Sequence, residues 1–119
     1  MDKEFLLELF QPFGSVVVRN MFGGQGIAHM GLNLAIVIDG ALCLKADEVT
    51  IPAYEAEGMR VWKYTRKDGK QVDMGYWTVP EHLFDDPEEF AQWAQGAFEA
   101  ALRADAKKPA SKRKFKEDF

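Results

Sequence analysis

The chain has 119 residues, 47% of them hydrophobic and 29% charged, which suits one domain with a buried core. Its lone cysteine, Cys43, excludes an internal disulfide, and no apolar run approaches the roughly 20 residues that span a bilayer. The net charge of −4 is uneven: residues 107–119 hold six of the fifteen basic and two of the nineteen acidic residues, so that tail is +4 and the body is −8, a body that repels nucleic acid.

Met1-Asp2-Lys3-Glu4 has no basic segment leading into an apolar stretch and a cleavage site, so cytoplasmic residence is expected. Phe5, Leu6, Leu9, Phe10 and Phe13 recur at three- and four-residue spacing and predict a first helix, stopped by Pro12 and Gly14. The β-branched and aromatic stretch from Ser15 to Phe22 predicts a strand. The cluster Gly23-Gly24-Gln25-Gly26 is read as a bend or bulge, after which the same strand continues through Ile27, Ala28 and His29.

Leu32 to Ile38 predicts a second strand and Ala41 to Lys45 a third, joined at Asp39-Gly40, a strong hairpin signal. A short helix follows, ending at Glu57 before Gly58, with Pro52 in its first turn. Met59 to Thr65 and Val72 to Val79 predict two more strands around Lys67-Asp68-Gly69-Lys70. Asp86-Pro87-Glu88-Glu89 opens a last helix, whose apolar stripe is Phe90, Trp93, Ala94, Ala97, Phe98, Ala101 and Leu102. Residues 1–106 thus read as a two-layer α+β domain: a five-stranded antiparallel sheet with helices on one face, in the order α-β-β-β-α-β-β-α. Residues 107–119, charged and without apolar periodicity, read as a disordered or loosely attached tail.

No residue pattern points to catalysis, a cofactor or a metal. The glycine cluster is followed by strand rather than helix, unlike phosphate-binding loops. His29 and His82 lack neighbours at metal-ligand spacing, Cys43 alternates with Leu42 and Leu44 on a strand, and the acidic run Asp85, Asp86, Glu88, Glu89 is explained by helix capping. Two surfaces remain. Tyr76 and Trp77 are adjacent on a strand and face opposite sides, so one of them is a candidate partner surface on the helix-free face, for a protein partner or self-association. Lys107, Lys108, Lys112, Arg113, Lys114 and Lys116 could meet nucleic-acid phosphates; six such contacts with a duplex would give a log K against log salt slope of about −5.

The ordered set Met21-Phe22-Gly23-Gly24 with Gly26, Asp39-Gly40 leading to Leu42-Cys43-Leu44-Lys45, Tyr54 to Met59, and Tyr76-Trp77-Thr78-Val79-Pro80-Glu81 resembles the N-terminal domain of the TfoX/Sxy family of competence regulators over about residues 5–104. The resemblance implies a small α+β domain with an antiparallel sheet, no catalytic residues, and a regulatory role linked to competence or transcription. Gln25 and Cys43 stand where family members commonly carry aromatics. Longer members resemble a two-domain arrangement, whereas nothing after residue 106 here suits a second, helical domain, so the chain reads as a stand-alone copy. The expected function is a non-enzymatic regulatory or protein-interaction module, with a nucleic-acid accessory acting through the tail as the alternative.

Overall fold

The computed structural model describes residues 1–21 and 23–115. It has a helix α1 (Lys3–Phe10), four strands β1 (Val17–Met21), β2 (Gly24–His29), β3 (Leu32–Ile38) and β4 (Ala41–Lys45), a helix α2 (Ile51–Ala56), strands β5 (Val61–Thr65) and β6 (Gln71–Thr78), and a long helix α3 (Pro87–Ala106). Short 3-10 turns occupy Glu81–Asp85 and Ala110–Lys112. The strands make a single antiparallel sheet in the order β1-β2-β3-β4-β6-β5.

The α+β class and the one-sided helical layer agree with the sequence expectation, but the sheet has six strands, not five. The difference lies at the glycine cluster. Met21 pairs with Gly24 and Val17 with Ala28, so the chain reverses there instead of running on as one bent strand. Gly23, at φ 75°, supplies the left-handed backbone that a tight hairpin needs. Gly24 and Gly26 serve close approach. A Cβ on Gly24 would overlap the Val37 carbonyl oxygen, and one on Gly26 would overlap the Met21 side chain lying across it.

A bulge does occur nearby, on the partner strand. Ile27 faces Ala35 while Ala28 faces Asn33, which leaves Leu34 unpaired. Leu34 and Ala35 both enter the core as a result, and Asn33 and Ile36 stay out of it. The Asp39-Gly40 hairpin forms as expected, with both residues at positive φ and Ile38 opposite Ala41. After α2 the chain lays β6, not β5, beside β4, through Cys43↔Thr78, Leu44↔Trp77 and Lys45↔Tyr76.

α3 covers β3 and β4, with α1 beside it. Its start follows the expected cap: Asp86 Oδ1 accepts the Glu89 N–H at 3.2 Å, and Pro87 takes the first helical position, where no donor is missed. Phe90, Ala94, Ala97 and Ala101 turn inward, and the three alanines let the helix sit close to the core that Leu34, Val37, Leu42 and Leu44 supply from the sheet. Leu6, Leu9 and Phe10 from α1 close one end, with Phe10 edge-on to Phe90 at 4.9 Å between ring centroids. Arg103 ties α3 to the loop after β4 by a two-pronged bond to Asp47, at 2.7 and 2.9 Å.

Residues 107–115, the described part of the tail, run back beside the end of α3. Asp105, buried at the end of α3, accepts the N–H groups of Lys114 and Phe115 at 2.9 and 3.0 Å, and Phe115 packs edge-on to Phe98. One carboxylate and one aromatic make these contacts. Lys116 lies outside the described residues.

Candidate functional site: the helix-free sheet face

Alternation along each strand sorts the sheet into two faces. Val37, Leu42, Leu44 and Trp77 point to the helices, while Ile36, Ile38 and Tyr76 point away. On that second face Met21, Ile36, Ile38, Trp62, Tyr64, Met74 and Tyr76 line a groove of about 250 Å³. Tyr64 and Met74 are 47% and 44% exposed at its rim. No charged side chain lines it among the described residues. Bulky apolar groups left open to solvent over one contiguous patch mark an interaction surface more often than a defect of packing.

The two adjacent aromatics singled out in the sequence part company here. Tyr76 forms a wall of the groove. Its hydroxyl accepts a hydrogen bond from Asn33 Nδ2 at 3.1 Å, and Lys45 Nζ stands 5.0 Å from its ring centroid. Burial pushes the Tyr76 hydroxyl above its ordinary value, against the Asn33 bond, which favours ionisation; burial, followed by the nearby Lys108, draws the Lys45 amine below its own. Trp77 packs on the opposite face against Tyr54, 6.1 Å between centroids, and its Nε1–H is buried with no partner among the described residues. Trp77 therefore belongs to the core layer.

The other candidates are held in structural roles. His29 Nδ1 donates to the Ser15 carbonyl at 2.6 Å, and its ring sits between Phe13 and Phe98. His82 Nε2 meets Glu57 at 2.8 Å on the surface, and that hydrogen bond raises its pKa. Cys43 is fully buried, and burial pushes its thiol up to about 11, which keeps the nucleophilic thiolate scarce. No group of three or more His, Cys, Asp or Glu suited to a metal occurs among the described residues. The described tail cations are all exposed; Arg113 donates to the carbonyls of Lys108 and Ala106 at 3.1 and 3.2 Å, and Lys108 Nζ lies 3.9 Å from Asp105 Oδ1.

Residues 8–101 match the sequence profile of the TfoX N-terminal domain. The chain belongs to that family. It is also similar to Protein Sxy of Escherichia coli (strain K12), 27% identical over 96 residues that make up 81% of this chain and 46% of that protein. The chain thus spans about half the length of this curated relative. In this TfoX N-terminal domain the residues that carried the resemblance split between frame and site. Gly24 and Gly26 let β1, β2 and β3 close up, Leu42 and Leu44 fill the core, and Tyr76 reaches the groove.

Sequence reasoning singled out Tyr76 and missed the rest of the lining. The readable trace was the pair Trp62 and Tyr64 at two-residue spacing, which any strand must put on one face.

Proposed function

We propose that the chain is a regulatory protein-interaction module that works without catalysis, in the cytoplasm, in the control of competence or transcription, and that its partner surface is the helix-free face around Tyr76. The observation that carries this reading is the groove itself: a concave apolar site on a sheet face that no other described element of the chain covers. Family membership supports the regulatory part. No helix among the described residues is long and apolar enough to cross a membrane.

The test compares wild type with Tyr64→Glu, a charge placed at the exposed rim. Light scattering reads self-association, and affinity capture from the host reads a partner. A dimer or a captured protein lost in Tyr64→Glu supports the reading. A monomer with the same captured proteins, or none, in both forms defeats it.

A second reading, nucleic-acid contact through the tail, is favoured by the exposure of Lys107, Lys108, Lys112 and Lys114 on a segment anchored by Asp105. Because Phe115 packs on Phe98, the fair comparison is charge removal, not truncation. Wild type and the variant with all four lysines changed to Gln are titrated with fluorescent duplex DNA; equal affinity at low salt removes the tail from the function.

A further inference from the structure

We infer that the groove on the helix-free face is a docking site for an acidic peptide segment that inserts a bulky apolar side chain, an inference that rests on the interaction-module reading and names the chemistry of the partner. Size comes first. At about 250 Å³ the groove is at the low end of the roughly 300–1,000 Å³ of ligand pockets, a size that suits one or two large side chains. Its lining comes next. Met21 and Met74 with Trp62, Tyr64 and Tyr76 are the residue types that interfaces favour, and flexible methionines adapt to an incoming apolar chain.

Charge then selects the partner. Residues 60–70, which include β5 and the turn to β6, carry Arg60, Lys63, Arg66, Lys67 and Lys70 against the single carboxylate Asp68. That segment holds five of the nine cations of residues 1–106 and one of their seventeen carboxylates. Lys45 stands over the Tyr76 wall, and Arg19 lies two positions before Met21, on the same face of β1. A body of net charge −8 thus sets Lys45 and Arg19 on the groove's own face and Arg66, Lys67 and Lys70 at the turn of the hairpin that carries Tyr64 and Met74, while Arg60 and Lys63 lie on the opposite face beside Trp77. A segment with an apolar anchor and flanking carboxylates complements both features.

The same features disfavour two rivals. A second copy would bring an equally cationic rim against this one. A nucleobase has polar edges that need partners, yet the Tyr76 hydroxyl is already bonded to Asn33, and the site is concave where stacking platforms are open.

A display library of random 16-residue peptides, selected on the full chain, tests the inference. The enriched peptides are expected to be net negative with Leu, Phe, Ile or Trp anchors. Their affinity should fall at least about 10-fold in Met74→Glu and in Tyr64→Glu, both at exposed positions, and several-fold between 50 and 500 mM NaCl. Circular dichroism melts establish that each variant is folded. Lack of enrichment, enrichment of neutral or basic sequences, indifference to both folded variants, or displacement of the peptides by a 15-nucleotide oligo-dT would each overturn it. If no acidic peptide is selected while Tyr64→Glu still abolishes a host partner or a dimer, the inference fails and the interaction-module reading stands.

Discussion

Replacing the three clustered glycines by alanine one at a time separates three kinds of constraint, and the structure ranks them. At Gly23 an added Cβ meets open space, so the penalty is conformational alone: about 1–2 kcal/mol for left-handed backbone, less about 0.4–1 kcal/mol recovered by stiffening the unfolded chain. A net cost near 1 kcal/mol is expected. At Gly26 the Cβ meets the Met21 side chain, which can swing aside, and beyond it Asn33 Oδ1 at 3.0 Å. The cost is again about 1–2 kcal/mol, taken mostly from Met21 packing. Gly24 differs because the obstacle is the backbone carbonyl of Val37, which cannot yield without prising β2 from β3. Losing local ladder hydrogen bonds at about 1 kcal/mol each, with the strain of the displaced strands, puts Gly24→Ala at about 3 kcal/mol or more. For a domain of this length that is a fall in melting temperature of roughly 12 °C, against roughly 4 °C for Gly23→Ala. Urea titrations followed by tryptophan fluorescence, with thermal melts by circular dichroism, give the order. A Gly24→Ala protein within about 1 kcal/mol of wild type, or one more stable than Gly26→Ala, would refute the close approach of β2 to β3.

Two further outcomes follow from buried groups. Asp105 is held below the usual carboxylate range, first by the Lys114 N–H, with the Phe115 N–H also lowering it, so its contribution to stability is present above its unfolded pKa and is lost as pH falls through the lower folded value. Asp105→Asn should therefore flatten the acid limb of the stability curve and speed tryptic cleavage at Lys112 to Lys114; unchanged cleavage would argue that the tail is held by something else. With burial pushing its pKa from 9.0 to about 11, Cys43 at pH 8 should react with a disulfide reagent roughly 100-fold slower in the native protein than in urea, and a fast native reaction would place the thiol at the surface.

Legibility in the sequence followed locality. The start of α3 was readable because a cap, a proline and an apolar stripe all act within a few residues, and the Asp39-Gly40 hairpin because two adjacent residues decide it. The hairpin at Gly23 was not, since it lacks the Asn-Gly or Asp-Gly pair and its glycines serve equally for a bulge. That Tyr76 and Trp77 oppose one another follows from strand geometry, but which of them faces solvent depends on the Leu44↔Trp77 register with a strand more than thirty positions away. The groove is further from reach. Leu34 bulges out of the ladder and changes which side chains of β3 alternate outward, and β6 enters between β4 and β5, bringing Ile36, Trp62 and Tyr76 together. Bulk charge likewise says nothing of one short-range bond set, Asp105 to the Lys114 and Phe115 amides.

The insertion of β6 beside β4 gives the groove two mechanically unlike sides. Ile36 and Ile38 stand on a strand paired along both edges and backed by α3, a rigid floor. Trp62, Tyr64, Met74 and Tyr76 stand on a hairpin joined to the sheet along one edge only, by three residue pairs flanked by the Ala46–Gly75 and Val79–Leu42 backbone bonds, with a register irregularity at Trp62/Lys63 and Gly75 at φ 79° beside Tyr76. A short seam of pairing costs less to flex than a helix-backed layer. The Asn33–Tyr76 hydrogen bond is then the one side-chain tie described between the two sides, and amide exchange is expected to be faster in residues 61–76 than in residues 34–38, with equal rates arguing for a groove that is rigid throughout.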